Sequence, residues 1–218
     1  MKWIDNDTIE AVCTGEQTYI ARIKNGKLES ITESNRDGAI RSARRVAVPE
    51  GLVFPCHPGR QYISHPESTV LMADGSIIAG SYDGMLSRIK DGKVYSLGMV
   101  VTCGGIHSMC TDSTGTKVYG VAGYSEALGT IFTYDDENGI IIQGRCGVGG
   151  EEDPDRDAAA IYEQIDVEDV GYMENPKQNR YYVFFATQPI SCAVSPDDKY
   201  IAIGSADKLG GVGIYRLK

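Results

Sequence analysis

Short apolar segments alternate with polar turns along most of the chain, and the same order of segments and turns recurs in several units. Each unit begins with an apolar strand pattern and a polar turn. A second apolar stretch, which ends in small residues, follows this turn. A glycine-containing loop then leads to a third strand pattern. Three stretches show this order most clearly, at 68–89, 106–134 and 190–217. Short apolar runs bounded by turn residues are typical of β-strands, so the pattern predicts repeated antiparallel sheet units.

Asp-Gly and Asn-Gly pairs indicate a fourth strand in two of these units. Asp91-Gly92 and Asn138-Gly139 each stand between two strand patterns. These pairs favour tight hairpins because both central residues of a type I′ turn need a positive φ. Asn25-Gly26 marks the same turn in a weaker copy at the start of the chain, where strands are predicted at 8–13, 18–23 and 27–31.

Two of the units resemble blades of β-propellers. The stretches are Asp-Gly-Ser-Ile-Ile-Ala-Gly-Ser-Tyr-Asp-Gly at 74–84 and Ser-Pro-Asp-Asp-Lys-Tyr-Ile-Ala-Ile-Gly-Ser at 195–205. They are similar to WD40-like, NHL-like and SMP-30/gluconolactonase-like blades, although no Trp-Asp dipeptide ends a unit and Trp3 is the only tryptophan. A meander or β-sandwich would also supply hairpins, but it would not require each unit to repeat its turn chemistry. The resemblance implies an all-β fold, a small or partial β-propeller of about four to five four-stranded antiparallel blades.

We interpret residues 1–218 as a single propeller-like domain in which two segments depart from the repeat. Irregular excursions are predicted at about 32–67 and 144–172. The spacing of the second strands leaves room for a degenerate blade between 147 and 188, with 180–185 as its best strand. The last unit ends after its third strand. Because native proteins rarely leave a sheet edge unpaired, its outer strand is expected from the N-terminus, from a homodimer partner or from further sequence.

Composition and charge limit the class of partner. The net charge is −9, which disfavours a nucleic-acid ligand, and the small basic cluster of Arg41, Arg44 and Arg45 does not reverse it. No stretch approaches the roughly 20 apolar residues of a membrane span, and the first residues lack the apolar run of a signal peptide. We therefore predict a cytoplasmic protein with a protein or carbohydrate ligand.

The six cysteines include no Cys-x-x-Cys pair, so neither a zinc ribbon nor a thioredoxin-type site is indicated. Cys110 and Cys192 stand inside apolar strand patterns. A free thiol in such a position behaves as a small apolar side chain. The pattern therefore predicts that both are buried and reduced.

The candidate site gathers around the three histidines. His57 and His65 lie in the proline-rich excursion before one inner strand, and His107 begins the next. Inner strands of a propeller border its central channel, so three imidazoles could converge there, with Glu67 adding a carboxylate. Such a set suits zinc or another transition metal. The spacing matches no recognised ligand motif, so ordinary loop histidines are the alternative, and no cofactor is identified.

Arg60, Tyr62 and His65 would together suit an anion or a sugar, since a guanidinium would then stand beside an aromatic ring and an imidazole. Two functions remain open. One is a non-catalytic binding module for a protein, peptide or glycan. The other is a sugar or sugar-acid lyase, lactonase or hydrolase that uses His107, His65 and Arg60 for catalysis, with His57, Tyr62 and Glu67 binding the ligand. Gluconolactonase-like propellers imply a metal cage of Glu, Asn and Asp side chains, which these residues do not supply. The binding module is therefore favoured.

Overall fold

The computed structural model describes residues 1–12, 18–24, 27–34, 46–56, 58, 64–101, 104–124, 127–146, 167–172, 189–205 and 211–217. In these residues every regular element is a β-strand. The first eight strands are β1 (Lys2–Asp5), β2 (Thr8–Val12), β3 (Thr18–Lys24), β4 (Lys27–Ser34), β5 (Pro66–Leu71), β6 (Ile77–Ser81), β7 (Met85–Lys90) and β8 (Lys93–Met99). The other eight are β9 (Gly105–Thr111), β10 (Val118–Tyr124), β11 (Ala127–Asp135), β12 (Gly139–Cys146), β13 (Val167–Tyr172), β14 (Pro189–Val194), β15 (Tyr200–Ser205) and β16 (Gly211–Leu217).

The sixteen described strands form four antiparallel sheets of four strands each. Three are meanders in chain order, namely β1 to β4, β5 to β8 and β9 to β12, which we call the first, second and third blades. The fourth blade has the order β13-β16-β15-β14. The prediction of an all-β, partial propeller of four-stranded antiparallel blades is confirmed. Strand β1 was not predicted, since only one of its four residues, Trp3, is buried.

The fourth blade corrects the prediction about its outer edge. β13 pairs with β16, with Val167 opposite Leu217 and Tyr172 opposite Gly213. The outer strand therefore comes from the same chain, upstream of the inner strand, and the expectation of an edge completed by the N-terminus, a homodimer or further sequence was wrong. The sequence predicts an irregular excursion over about 144–172, whereas in the structure its last residues form strand β13 (Val167–Tyr172). The predicted strand at 180–185 lies outside the described residues.

Contacts between sheets place the blades in a definite order. The inner strand β9 contacts β5 on one side and β14 on the other, while β1 contacts β14 and β4 contacts β13. Trp3 strengthens the contact between the first and fourth blades, because its Nε1 donates to the carbonyl of Ala193 at 2.9 Å and its ring stacks on Tyr200. The sequence of neighbours is thus first, fourth, third and second.

An apolar core fills the space between the second and third blades. Its buried side chains include Ile78 and Leu86 from the second blade and Ile106 and Phe132 from the third. A Cβ at Gly80 would stand 2.5 Å from Cγ2 of Ile106, so a larger residue at this position would push the two blades apart. This contact explains why the second strand of this unit ends in small residues.

Part of the first excursion covers the opposite face of the second blade. Phe54 is buried against Ala79 and Ile89, and Val48 and Leu52 pack on the same cluster. The hydroxyl of Thr69 donates to the carbonyl of Val46 at 2.9 Å, and Phe54 forms a β-bridge with Ser64. Residues 46–56 therefore belong to the packed structure. No helix of membrane-spanning length and hydropathy occurs in the described ranges.

Hydrogen bonds link the turns between the first and second strands of successive blades. The amide of Ala73 donates to the carbonyl of Gly115 at 2.9 Å, which joins the second blade to the third. The amide and hydroxyl of Ser113 donate to the carboxylate of Asp198, which joins the third to the fourth. These bonds hold together one end of the second, third and fourth blades, and the candidate site lies at the opposite end.

Candidate functional site

Glu67 and His107 meet near the points where two neighbouring inner strands begin. Glu67 is the second residue of β5 and His107 the third residue of β9. Nδ1 of His107 lies 2.9 Å from Oε1 of Glu67, and the two side chains are 20% and 25% exposed. The pair therefore bridges the second and third blades and is accessible to solvent on one side.

The second ring nitrogen of His107 is also engaged. Nε2 is hydrogen-bonded to the carbonyl of Gly123 in β10. A carbonyl oxygen can only accept, so Nε2 carries a hydrogen and donates it. Gly123 has a φ of +133° and lies where the register of β10 with β11 shifts, between Ala122 and Tyr124. Glycine adopts this backbone conformation readily, and the resulting irregularity accompanies the contact of its carbonyl with the imidazole.

The environment favours the charged form of the imidazole. The hydrogen bond to Glu67 is the main cause that raises the pKa of His107 above its usual value, and it outweighs the opposing effect of burial. In the charged form Nδ1 donates to the carboxylate of Glu67 while Nε2 donates to the carbonyl of Gly123. Both nitrogens are then donors, and the ring offers no lone pair to a metal ion or to a substrate proton.

The carboxylate of Glu67 packs closely against the backbone of the next blade. Its second oxygen, Oε2, is buried and has no hydrogen-bond partner among the described residues. A Cβ at Gly105 would stand 2.0 Å from this oxygen and 3.2 Å from Cα of Tyr82. Only glycine leaves room for this approach, so Gly105 helps to set the position of Glu67 and therefore of the pair.

A buried hydrogen-bond network orders the turn that carries Tyr82, between β6 and β7. The carboxylate of Asp83 is buried and accepts from the hydroxyls of Ser64, at 2.6 Å, and Ser81. The hydroxyl of Ser81 in turn accepts from the amide of Met85 at 2.9 Å. The amide of Tyr82 donates to the carbonyl of His65 at 3.1 Å. This fixed turn leaves the side chain of Tyr82 53% exposed beside the pair.

The structure brings together two of the six predicted site residues, Glu67 and His107. His65 lies at the same end, but its side chain is exposed and its carbonyl makes the contact described above. His57, Arg60 and Tyr62 lie outside the described residues. Among the residues that are described, no group of three or more His, Cys, Asp and Glu side chains is placed to hold a metal. A metal site that includes His57 stays a prediction.

Sequence reasoning missed Tyr82, Asp83 and Gly105. The sequence predicts residues 82–84 only as a glycine-containing loop, although a loop between the second and third strands of a blade lies at this end. Gly105 carries no signal of its own in the sequence, since its role depends on a carboxylate that is distant along the chain.

Comparisons with known proteins identify no family for this chain. No protein-family model matches it, and no curated protein is similar to it. Among solved structures, the β-propeller domain of Cps50 (Swd1) from Myceliophteria thermophila matches with 10% identity and a TM-score of 0.36, covering 97% of this chain and 66% of that one. A putative 6-phosphogluconolactonase from Bacteroides fragilis matches with 13% identity and a TM-score of 0.32, covering 93% and 65%.

The periplasmic gluconolactonase PpgL from Pseudomonas aeruginosa matches with 11% identity and a TM-score of 0.28, covering 96% of this chain and 66% of that one. The chain thus spans just under two thirds of the length of each of these three proteins. They include both a propeller domain with no activity in its name and proteins named as lactonases. At these identities and TM-scores the likeness assigns no function.

Replacing His107 with glutamine should destabilise the protein more at pH 6 than at pH 9. The folded-state pKa of His107 is raised, so the stability that its charge contributes is fully present below its unfolded pKa of about 6.5. That contribution is lost as the pH rises through the folded pKa. We expect a cost of about 1.5–3 kcal/mol at pH 6, the range for hydrogen bonds to charged groups, and a smaller cost at pH 9. Urea unfolding of the wild type and the variant at both pH values measures the difference.

His65→Gln is the matched control, because its imidazole is exposed, and it should change the free energy of unfolding by less than about 0.5 kcal/mol. Glu67→Gln should remove most of the pH dependence that His107 contributes. A His107→Gln cost that is equal at pH 6 and pH 9 would contradict the assignment of a charged pair.

Proposed function

We propose that this protein is a non-catalytic binding module for a protein, peptide or glycan. Its ligand face would be the end of the blades at which Glu67, Tyr82 and His107 lie. The engagement of both ring nitrogens of His107 is the observation that carries this proposal. The imidazole is the group in this site best suited to acid–base chemistry at neutral pH, and in this arrangement it is committed to neighbouring protein groups.

A general base needs an unshared electron pair within reach of the proton that it removes. A metal ligand likewise needs a neutral nitrogen with a free lone pair. His107 has neither while it donates to Glu67 and to the carbonyl of Gly123. The lyase, lactonase and hydrolase reactions considered from the sequence would therefore require the ring to release one of these partners first.

The other features at this end of the blades, an exposed aromatic side chain and a hydrogen-bonded polar pair, suit the recognition of a ligand. Tyr82 is a large aromatic side chain on a turn held by buried hydrogen bonds, so little conformational entropy would be lost when a ligand packs against it. The Glu67–His107 pair offers a fixed positive and a fixed negative group beside it. Exposed aromatic residues next to fixed polar groups are typical of the residues that dominate binding energy in protein interfaces.

Tyr82→Ala should weaken ligand binding by at least about tenfold, since removal of a central aromatic contact costs on the order of 2 kcal/mol. The full chain would be applied to immobilised arrays of peptides and of glycans, and the affinity of each positive probe would then be measured by calorimetry. Tyr95→Ala is the matched control, because Tyr95 is 49% exposed but lies on β8, the outer strand of the second blade.

Equal losses in the Tyr82 and Tyr95 variants would show that the ligand does not bind at this end. The enzymatic alternative is tested in parallel with aldonolactones and uronate polymers as substrates. Turnover of one of these that His107→Gln abolishes, while Tyr95→Ala retains it, would overturn the proposal of a non-catalytic module.

A further inference from the structure

Two cysteine thiols face each other between the third and fourth blades. Cys110 lies on β9 and Cys192 on β14, the inner strands of these neighbouring blades. Their sulfur atoms are 3.7 Å apart although the residues are separated by 82 positions along the chain. Both cysteines are free in the structure. The sequence predicts that both are buried and reduced; Cys192 is buried, whereas Cys110 is half-buried, and the sequence did not predict that the two sulfurs touch.

The surroundings hold the two sulfurs in this contact. The amide of Cys192 donates to the hydroxyl of Ser108 at 3.2 Å, which ties β14 to β9. The sulfur of Cys192 lies 3.6 Å from the carbonyl of Ser108 and 3.7 Å from that of Tyr119. Around them packs an apolar cluster that includes the buried side chains of Val121, Ile131, Ile201 and Tyr215. The fold therefore orients both thiols before any reaction occurs.

We propose that Cys110 and Cys192 form a reversible disulfide that cross-links the third and fourth blades when the protein meets a peroxide. The two sulfurs must approach from 3.7 Å to the bond length of about 2.05 Å, a movement that small rotations of both side chains can share. Cys192 is buried, whereas Cys110 is only half-buried, so a small oxidant reaches the pair from the side of Cys110. This inference does not depend on the proposed binding function.

The reaction balances with hydrogen peroxide as the oxidant. One thiolate sulfur attacks a peroxide oxygen, the O–O bond breaks, and the products are a sulfenic acid and hydroxide. The sulfur of the second cysteine then attacks the sulfenic sulfur, forming the S–S bond, and its thiol proton leaves with the sulfenic oxygen as water. The proton that the first thiol released on forming the thiolate neutralises the hydroxide. In sum, two thiols and one peroxide give one disulfide and two water molecules.

The local electrostatics agree with this sequence of steps. The thiol of Cys110 donates a hydrogen bond to the sulfur of Cys192, and this contact lowers the pKa of Cys192 while it raises that of Cys110. Because the lower pKa makes the Cys192 thiolate more accessible, we expect Cys192 to attack the peroxide and Cys110, which keeps its thiol proton, to attack the resulting sulfenic acid. A two-electron reductant such as dithiothreitol would restore both thiols by exchange through a mixed disulfide.

Peptide mapping of the full chain tests the proposal. The reduced protein is treated with hydrogen peroxide at low concentration to avoid links between molecules, blocked with an alkylating reagent and digested with trypsin. We expect the peptides 94–117 and 181–199 to be joined, with a mass two hydrogens below their sum and with reversal by dithiothreitol. We also expect the oxidised protein to melt higher than the reduced one by on the order of 5–10 °C, because the cross-link closes a long loop.

The controls separate this pair from the other cysteines. Peptide 94–117 contains Cys103 as well as Cys110, whereas 181–199 contains Cys192 alone. Cys103→Ser should keep both the joined peptides and the rise in melting temperature, and Cys110→Ser should lose both. The peptide map of the wild-type protein tests the disulfide without any substitution, so the test does not depend on whether the variants fold. Alkylation of Cys110 and Cys192 as free thiols after peroxide treatment, or a link between Cys192 and Cys103, would overturn the proposal.

Discussion

Replacing Phe132 with alanine should lower the free energy of unfolding by about 3–5 kcal/mol, the usual cost of removing a fully buried phenylalanine. Phe132 lies on β11 and is completely buried in the core between the second and third blades, in contact with the cluster that contains Leu86 and Ile106. Its ring also covers Gly120, which stands directly opposite on β10: a Cβ at Gly120 would lie 2.3 Å from Cζ of Phe132. The truncation therefore opens a cavity and uncovers a glycine in the middle of a sheet.

A double-mutant cycle tests this account more sharply than the single substitution does. Gly120→Ala alone should destabilise by about 1–3 kcal/mol, because the added methyl group collides with the ring. In the Phe132→Ala background the same methyl group enters the space that the ring has left. We therefore expect a coupling of at least about 1 kcal/mol, measured by urea unfolding of the four proteins. Strictly additive costs would contradict the packing of Phe132 on Gly120.

Replacing Asp83 with alanine should cost about 3 kcal/mol. Asp83 is a buried carboxylate that accepts from the hydroxyls of Ser64 and Ser81, and its removal leaves these buried donors without their acceptor. Loss of one partner from a buried, charged hydrogen-bond network is among the more destabilising changes known. The free energy of unfolding would be measured by urea titration followed by circular dichroism.

Asp83→Asn is an informative second variant, since it keeps the size of the side chain and one acceptor oxygen but removes the charge. We expect a cost between zero and that of the alanine variant. The Ser64→Ala variant should reproduce part of the loss, because it removes one of the two donors. An Asp83→Ala protein as stable as the wild type would show that the turn bearing Tyr82 is not held by this network.

The repeated units could be predicted from the sequence because their information is local. Asp91-Gly92 forms the tight hairpin expected of it, with positive φ at both residues. The connection before β12 differs from the prediction, because Asp135 pairs with Gly139 and the turn consists of residues 136–138, with positive φ at Gly139 but not at Asn138. β13 could not be predicted as part of the last blade for two reasons. Its partner β16 is separated from it along the chain by β14 and β15, and β13 includes the acidic residues Glu168 and Asp169. Pairings between strands that are distant along the chain leave no local signature.

The candidate site also shows that contacts with local sequence signals could be predicted and long-range contacts could not. Glu67 and His107 were both placed near the entrances of inner strands, and such positions adjoin in a propeller. The carbonyl of Gly123 could not be foreseen as a partner, because its position depends on an irregularity in the pairing of β10. That contact changes the chemistry of the imidazole, so the sequence left the catalytic and binding alternatives open.

The order of strands in the fourth blade has a consequence for the growing chain on the ribosome. Each of the first three blades is a meander, so its strands can pair as soon as they emerge. β13 emerges before all three of its companions and meets its partner β16 only after β14 and β15 have followed. Until then β13 has no strand partner, and Trp3 of β1 lacks the carbonyl of Ala193 to which its indole donates. The fourth blade can therefore be completed only after β16 has emerged, and its completion secures the contacts with both neighbouring blades.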